Sequence, residues 1–143
     1  MIVPDINLLL YAVHSDSPQH PIANRWFERV LGGDEPVGFA WTVVLGFLRI
    51  TTNPRAYASP MRPDVALALV DEWRARRVVS MIDPGVDHWR ILGDLLRQSG
   101  TAANLTPDAH LAALCIERGA TLYSADAGFG RFQSLQWVNP LRG

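Results

Sequence analysis

The sequence of 143 residues predicts an α/β fold, a three-layer α/β/α sandwich around a mostly parallel sheet. Short apolar strands alternate with helices along the chain, and short connections join them, which is the pattern of βαβ units. Apolar residues make up 48% of the chain, so a protein of this length can bury one sizeable core. We therefore expect a single domain that spans residues 1–143.

The first half of the chain predicts one strand and three helices. The strand MIVPD leads directly into INLLLYAV, a helix that is apolar on every face and is therefore expected to be fully buried. HPIANRWFERVLGG predicts an amphipathic helix that ends at a glycine pair. Its apolar side comprises Ile22, Trp26, Phe27 and Val30. Residues 40–52 predict another very apolar helix, closed by Asn53-Pro54.

The second half predicts three further helices and three strands. Pro63 begins a helix, and the strand VVSMI follows it. The apolar face of that helix comprises Val65, Leu69, Val70 and Trp73. After Asp83-Pro84 a helix runs to about Arg97. LTPDAHLAALCIERG predicts a helix, and ATLYSAD and SLQWVNPL predict the last two strands. The signals that bound this helix are Thr106 as N-cap, Pro107 in the first position and Gly119 at the end.

Composition excludes several classes of protein. The apolar N-terminus has no basic flank and contains Asp5, so it is neither a signal peptide nor a membrane span, and we expect a soluble, cytoplasmic protein. The net charge of −1 provides no general field for nucleic acid, so any such site must be local. The single cysteine, Cys115, excludes an internal disulfide and is expected to be a small buried hydrophobe. All basic residues are arginine, which excludes mechanisms that require lysine.

Three aspartates lie where a parallel sheet would bring them together. Asp5 and Asp126 each end an apolar strand, and Asp108 lies in the first turn of a helix. Each one alone is explained as a cap or as a favourable charge at a helix start. Like charges at one sheet edge are costly unless a cation neutralises them, and Mg²⁺ prefers carboxylate oxygens and water. The three together therefore indicate a metal site.

The same segments resemble a known family. MIVPDINLLLYA resembles the Asp-x-Asn opening of PIN-domain ribonucleases. LTPDAHLAALCIERGATLYSAD, continued by GFGRFQSLQWVNPL, is similar to the C-terminal half of the VapC-like toxins in that family, and GFLRITTNPR resembles a segment of one actinobacterial branch. The resemblance implies a PIN-like fold and a Mg²⁺-dependent endoribonuclease, with Mn²⁺ as an alternative ion. It also implies a toxin that cleaves structured RNA, forms a homodimer and is held inactive by a cognate antitoxin.

The resemblance also implies roles for individual residues. Asp5, Asp108 and Asp126 match three of the family's catalytic carboxylates. Asp5 and Asp108 are expected to coordinate the metal directly, and Asp126 through water or an outer contact. Asn7 either orients a carboxylate or water, or is simply a polar residue in the first turn of a helix. RNA contacts are expected from arginines on the motif segments. These are Arg49, Arg55 and Arg131.

Two positions depart from the family pattern. No acid occupies the helix near position 40, where the family has a glutamate; the nearest acids, Asp34 and Glu35, precede that helix. Thr42, Gly46 or Phe47 stands at the position where the family's glutamate is expected. Gly128 replaces the second aspartate of the family's late Asp-x-Asp-Phe pattern. Losing these charges should weaken metal affinity, so the chain either works with a reduced acidic set or is impaired.

The remaining polar and aromatic residues have structural explanations. His110 lies two positions after Asp108, on a different helix face, and is expected to serve packing or the surface. Most tryptophans, at positions 26, 41, 73, 89 and 137, are expected in the core or in a dimer interface. The WTVVLGFL helix is expected to be packed or shared with a partner.

Two rival functions follow from the same residues. A phosphotransfer domain with Asp5 as the acceptor also places acids at strand ends, but such sites ordinarily need a lysine, and the chain has none. A PIN-like domain that has lost its chemistry could act by binding antitoxin or RNA, and the missing helix acid and Gly128 favour it. The retention of Asp5, Asp108 and Asp126 argues against it, because Asn or Ser would cap equally well.

Overall fold

The computed structural model describes residues 1–142, and within that range the chain forms six α-helices and one five-stranded sheet. The strands are β1 (Ile2–Pro4), β2 (Val37–Ala40), β3 (Val79–Ile82), β4 (Thr121–Tyr123) and β5 (Gln136–Val138). The helices are α1 (Ile6–Val13), α2 (His20–Leu31), α3 (Trp41–Thr51), α4 (Pro63–Arg74), α5 (His88–Ser99) and α6 (Thr106–Arg118). Two 3-10 turns cover Ala103–Leu105 and Ala127–Arg131.

The sheet is parallel throughout, with the strand order β3-β2-β1-β4-β5. The chain builds outward from β1 through β2 to β3, and then returns to the other side of β1 for β4 and β5. The helices pack in neighbouring pairs, α1 with α2, α3 with α4, and α5 with α6. This three-layer α/β/α sandwich confirms the predicted fold class.

An aromatic cluster joins the sheet to three helices. Trp73 of α4 meets Phe27 of α2 with ring centroids 5.2 Å apart, and Phe47 of α3 at 5.0 Å. Phe39 of β2 lies 6.0 Å from the same indole. All four rings are buried. Large aromatic side chains in such contact contribute both area burial and favourable ring geometry, so this cluster anchors α2, α3 and α4 to the sheet.

Strand β2 is not predicted from the sequence, which indicates no strand between the second and third helices. Val37–Ala40 is only four residues long and runs directly into α3, so periodicity offers too few positions to reveal it. All four residues are buried in the middle of the sheet. A Cβ on Gly38 would lie 2.8 Å from both Ile82 Cγ2 and Met1 Sδ, so these neighbouring side chains occupy the space above the glycine.

The start of α6 also differs from the prediction. Thr106 is the first residue of the helix, and Leu105 holds the N-cap position without a side-chain hydrogen bond. The reason is the 3-10 turn Ala103–Leu105, which runs straight into the helix and leaves Thr106 with helical backbone angles. The predicted end is confirmed, since Gly119 terminates α6 in the left-handed conformation with φ of +64°.

Several residues of the predicted apolar faces, and two of the tryptophans predicted for the core or a dimer interface, are exposed. Ile22 and Val65 keep 46% and 47% of their surface, because each lies at the edge of its helix's apolar stripe. Among the tryptophans, Trp26 and Trp73 are buried as predicted, but Trp89 on α5 is 82% exposed. Trp41, at the start of α3, is 42% exposed.

Helix α1 is half buried, which corrects the prediction that it is enclosed on every face. Leu8, Leu9 and Ala12 enter the core, while Leu10 and Tyr11 remain partly exposed. The helix therefore has one face in the core and one face that is only partly covered. Among residues 1–142, no helix combines the length and the apolar character needed to cross a membrane.

Candidate active site

The site lies where the order of the strands reverses. Strand β1 is the starting point for chain growth in both directions, so the crevice between the carboxyl ends of β1 and β4 is the topological switch point of the sheet. Asp5 follows β1 directly, and its N–H donates to the carbonyl of Tyr123, the last residue of β4, at 2.9 Å. Ser124 follows β4. The two strand ends therefore deliver these residues to one crevice.

Asp5 is a buried carboxylate that caps α1. Its Oδ1 accepts the Ile6 N–H at 2.8 Å, and its Oδ2 accepts the Ser124 hydroxyl at 2.7 Å. Only 8% of the residue is exposed. Burial raises the pKa of Asp5, and the hydrogen bonds from Ser124 and Ile6 oppose that shift. The side chain is thus held in one orientation, as the cap prediction required.

Asn7 and Ser124 complete the surroundings of Asp5. The Asn7 amide donates to Asp5 Oδ2 at 3.3 Å and to the Ser124 oxygen at 3.2 Å, and its Oδ1 accepts the Ala125 N–H at 3.2 Å. The Ser124 oxygen also accepts the Asp126 N–H at 3.0 Å. Asn7 therefore contacts the carboxylate, one of its two predicted roles. Ser124 is fully buried. The sequence assigns it no role, and only its position directly after β4 indicates that it lies at the site.

Asp108 lies across the crevice in the first turn of α6. It is half buried, and among residues 1–142 no hydrogen bond or ion pair engages its carboxylate. Burial raises the pKa of Asp108, the Asp126 charge raises it further, and the Arg131 charge lowers it. Asp108 and Asp126 in turn both raise the pKa of Asp5. The three predicted carboxylates are therefore close enough for their fields to overlap.

Asp126 is the exposed member of the set. Its Oδ1 accepts the Gly128 N–H at 2.8 Å and so caps the turn Ala127–Arg131, which confirms the cap prediction. Its Oδ2 has no hydrogen-bond partner among the residues the structure describes. Arg131, at the end of the same turn, donates from Nε to the Gly128 carbonyl at 3.1 Å. The turn therefore places one carboxylate and one guanidinium beside Asp108.

The other two predicted arginines lie elsewhere. Arg49 is in the last turn of α3, and Arg55 follows it in the loop to α4; both are exposed. Within residues 1–142, neither forms an ion pair with Asp5, Asp108 or Asp126. Of the three predicted arginines, Arg131 is the one whose charge lowers the pKa of Asp108.

The missing helix acid has no substitute nearby. Asp34 pairs with Arg77 at 2.9 Å, and Glu35 lies 3.6 Å from the N-terminal amine of Met1. Both acids precede β2, at the opposite end of the sheet from Asp5. On α3, a Cβ at Gly46 would lie 2.7 Å from Ile6 Cδ1, so Gly46 packs closely against the residue that follows Asp5.

The donor set fits a hard cation that needs few protein ligands. No group of three or more His, Cys, Asp or Glu side chains in residues 1–142 is arranged to hold a metal ion together. Mg²⁺ ordinarily keeps several waters and takes one or two carboxylates plus substrate phosphate. Asp108 and the outer oxygen of Asp126 are open, and Asp5 Oδ1, which accepts a single hydrogen bond, retains a lone pair. The chemistry of these oxygens suits Mg²⁺ with mostly water ligands.

His110 and Cys115 lie outside this set. His110 Nδ1 is 2.9 Å from Nε2 of His88 on α5, so it joins α5 to α6, in agreement with the predicted packing role. Burial lowers the pKa of His110. Burial also raises the pKa of Cys115 to about 12, which leaves it a neutral thiol in the core, as predicted.

The chain matches known proteins over nearly its whole length. The family model described as PIN domain matches residues 2–135. The chain is 43% identical to ribonuclease VapC33 of Mycobacterium tuberculosis over 99% of both chains. It is 40% identical to ribonuclease VapC37 of the same organism over 98% of this chain and 97% of that one.

Solved structures share the fold at low sequence identity. VapBC2 of Rickettsia felis, bound to a DNA fragment from its promoter, superposes with a TM-score of 0.70 at 18% identity, covering 97% of this chain and 98% of that one. VapC20 of Mycobacterium tuberculosis, a sarcin-ricin loop cleaving toxin, gives a TM-score of 0.65 at 19% identity over 91% and 93% of the two chains. These similarities support the α/β/α architecture independently of the strand pairing.

Proposed function

This chain belongs to the PIN domain family, and we propose that it is a Mg²⁺-dependent endoribonuclease, the toxin of a toxin-antitoxin pair. One observation carries the proposal: Asp5 follows β1, Asp126 lies just beyond the neighbouring β4, and Asp108 lies in the first turn of α6, so the three carboxylates lie at the switch-point end of the sheet. Like charges at one sheet edge cost stability unless a cation neutralises them, and a metal-dependent function accounts for three of them there. The ribonucleases VapC33 and VapC37 are the relatives that give this site its expected chemistry.

Asp5 and Asp108 are the direct metal ligands in this proposal, and Asp126 acts through a water. When bound, Mg²⁺, or Mn²⁺ in its place, supplies a water of lowered pKa and neutralises charge on the scissile phosphate. The chain itself orients the ligands. Ser124 and Asn7 fix the Asp5 carboxylate by hydrogen bonds. Removing such a hydrogen-bond partner of a metal ligand commonly lowers metal affinity by about 10- to 100-fold.

Arg131 is the residue that we assign to the RNA backbone. Its guanidinium is exposed, it is oriented by the Gly128 carbonyl, and its charge reaches Asp108. A planar guanidinium suits bidentate contact with phosphate. Arg49 and Arg55 stay as weaker proposals for the same role, since they lie farther along α3 and its following loop.

Protein partners are the second part of the proposal, an antitoxin and a second copy of the chain. Trp41 and Leu45, four residues apart on α3, are 42% and 57% exposed. Residues at that spacing share one helix face, so α3 presents an apolar stripe to solvent. Exposed apolar area of this kind ordinarily marks a protein interface.

A binding-only PIN-like domain is the alternative function. It is favoured by the absence of an acid on α3 and by Gly128 in place of the second late carboxylate. It would leave the open Asp108 carboxylate with only the favourable interaction of a negative charge with the start of α6, which does not account for the two further carboxylates at the same end of the sheet. The endoribonuclease therefore accounts for more of the site.

The test is cleavage of total cellular RNA by the purified protein with Mg²⁺. We expect discrete cuts that disappear with EDTA and in Asp5→Ala and Asp108→Ala. The matched control is Asp34→Ala, an exposed acid at the opposite end of the sheet, which should cut like the wild type. Cleavage that survives in the two site variants, or its absence from the wild type, would refute the nuclease and leave the binding function.

A further inference from the structure

A hollow of about 300 Å³ opens beside the carboxylates, on the solvent face of α1. Its lining begins at Asn7, whose amide touches Asp5, and continues along the helix through Tyr11 to His14. Residues 7, 11 and 14 recur at intervals of four and three, so they share one helix face. The span from residue 7 to residue 14 is about 10 Å at the usual helical rise. The hollow therefore leads away from the site along α1.

Aromatic rings form the far wall. Tyr57, in the loop between α3 and α4, stacks on His14 with ring centroids 4.0 Å apart and an interplanar angle of 15°. His14 is held by a hydrogen bond of 2.8 Å between Nε2 and the hydroxyl of Thr51, which is fully buried. The stacked pair also lines an adjoining hollow of about 260 Å³. The rings are thus ordered before any ligand arrives, and they face open space.

The charge of the hollow selects against phosphate. Among the described residues that line it, Asp16 carries the only formal charge, and it is negative. Burial lowers the pKa of His14, which keeps the imidazole neutral at pH 7. A phosphate would meet repulsion there, whereas a planar neutral group with amino hydrogens would find ring faces and a carboxylate acceptor.

We propose that this hollow binds one unpaired nucleobase of the RNA, stacked against the aromatic rings of Tyr11, His14 and Tyr57, next to the phosphate at the proposed metal site. The inference rests on the proposed nuclease function, and it adds to that function a site for the base beside the cleavage point. Aromatic side chains that accept splayed bases are the usual means of reading single-stranded RNA. A paired base cannot enter, because its faces are covered by its neighbours in the helix.

Packing alone would also bring Tyr57 onto His14, so the test needs a measurement that a packing role would not change. The probe is a fluorescein-labelled, single-stranded 12-nucleotide RNA of mixed sequence, titrated with protein in EDTA so that no cleavage occurs. Tyr57→Leu should weaken binding by roughly 5- to 150-fold, the range that stacking of one base supplies. Tyr57→Phe keeps the ring and should bind like the wild type. Trp89→Leu, an exposed aromatic on α5, is the matched control and should have no effect.

Cross-linking of the wild type makes the inference independent of folding defects in the variants. The same RNA carrying 5-iodouridine should, on irradiation, attach to Tyr57, Tyr11 or His14 in peptides read by mass spectrometry. Adducts confined to other residues, absence of adducts, or equal binding by Tyr57→Leu would overturn the base site. If the expected adducts and the weaker binding of Tyr57→Leu are observed but Mg²⁺-dependent cleavage is absent, the nuclease function is refuted and the base site stands. If cleavage is observed without the adducts and without the weaker binding, only the base site is refuted.

Discussion

The hydroxyl of Ser124 is the group whose removal most directly tests how the site is held together. In Ser124→Ala, Asp5 loses its shortest hydrogen bond, 2.7 Å, while Asn7 and the Asp126 N–H both lose an acceptor. A hydrogen bond to a charged group contributes about 1.5–3 kcal/mol, and a donor left unsatisfied costs more. Since Ser124 is fully buried, solvent cannot replace these bonds, and we expect a loss of about 2 kcal/mol in the free energy of unfolding.

Ser124→Ala should also lower the metal affinity more than a substitution of an exposed serine does. The Ser124 hydrogen bond lowers the pKa of Asp5, so its loss raises that pKa further and leaves the carboxylate held only by Ile6 and Asn7. We expect Mn²⁺ and Mg²⁺ affinity, measured by titration calorimetry, to fall about 10- to 100-fold, as for other outer-sphere substitutions. Thermal unfolding should begin about 4–8 °C lower.

The control is Ser80→Ala, an exposed serine on β3. This substitution also removes a serine hydroxyl, but from a strand at the edge of the sheet, and it should leave both the unfolding transition and the metal affinity unchanged. A Ser124→Ala protein that binds Mn²⁺ as tightly as the wild type would show that the hydroxyl does not orient Asp5, and the assignment of Asp5 as a ligand would lose its support.

Three further predictions concern a loop, the site and the core. Hydrogen bonds from the Gly85 and Asp87 N–H groups hold the pKa of Glu117 below its ordinary 4.5. The contribution of Glu117 to stability is therefore present above that pH and is lost as the pH falls through the lowered folded-state pKa. In urea unfolding between pH 7 and about pH 3, Glu117→Gln should remove part of the acid destabilisation while exposed Glu72→Gln should not; equal acid limbs would contradict this. A Cβ at Gly128 would lie 3.0 Å from Asp126 Oδ1, so an aspartate there adds a second carboxylate beside Asp126. Gly128→Asp should therefore bind Mg²⁺ roughly tenfold more tightly and unfold earlier in EDTA. A Mg²⁺ affinity that calorimetry finds unchanged would show that the added carboxylate does not reach the ion. Trp73→Ala removes the centre of the aromatic cluster and should cost about 3–5 kcal/mol by chemical denaturation, and a loss below about 1 kcal/mol would mean that the cluster repacks.

Local chemistry in the sequence was enough for some of the helix ends and for the kind of fold. Gly119 ends α6 because a left-handed residue suits glycine, and Asp5 starts α1 because its carboxylate accepts an N–H one residue away. The alternation of strands and helices indicated the parallel sheet, and the three carboxylates could be predicted at one end of it because strand ends and a helix start are visible in the sequence. These features depend on contacts within a few residues along the chain.

The tertiary structure decided what depends on residues far apart. Strand β2 is four residues of a buried central strand, and its pairing with β1 and β3 defines it more than its own composition does. Ser124 bonds to Asp5 across 119 positions, and only the adjacency of β1 and β4 makes that contact. The hollow at Tyr57 likewise joins a loop to α1. Periodicity records which face of an element is apolar, but the strand order, which it does not record, determines which side chains meet.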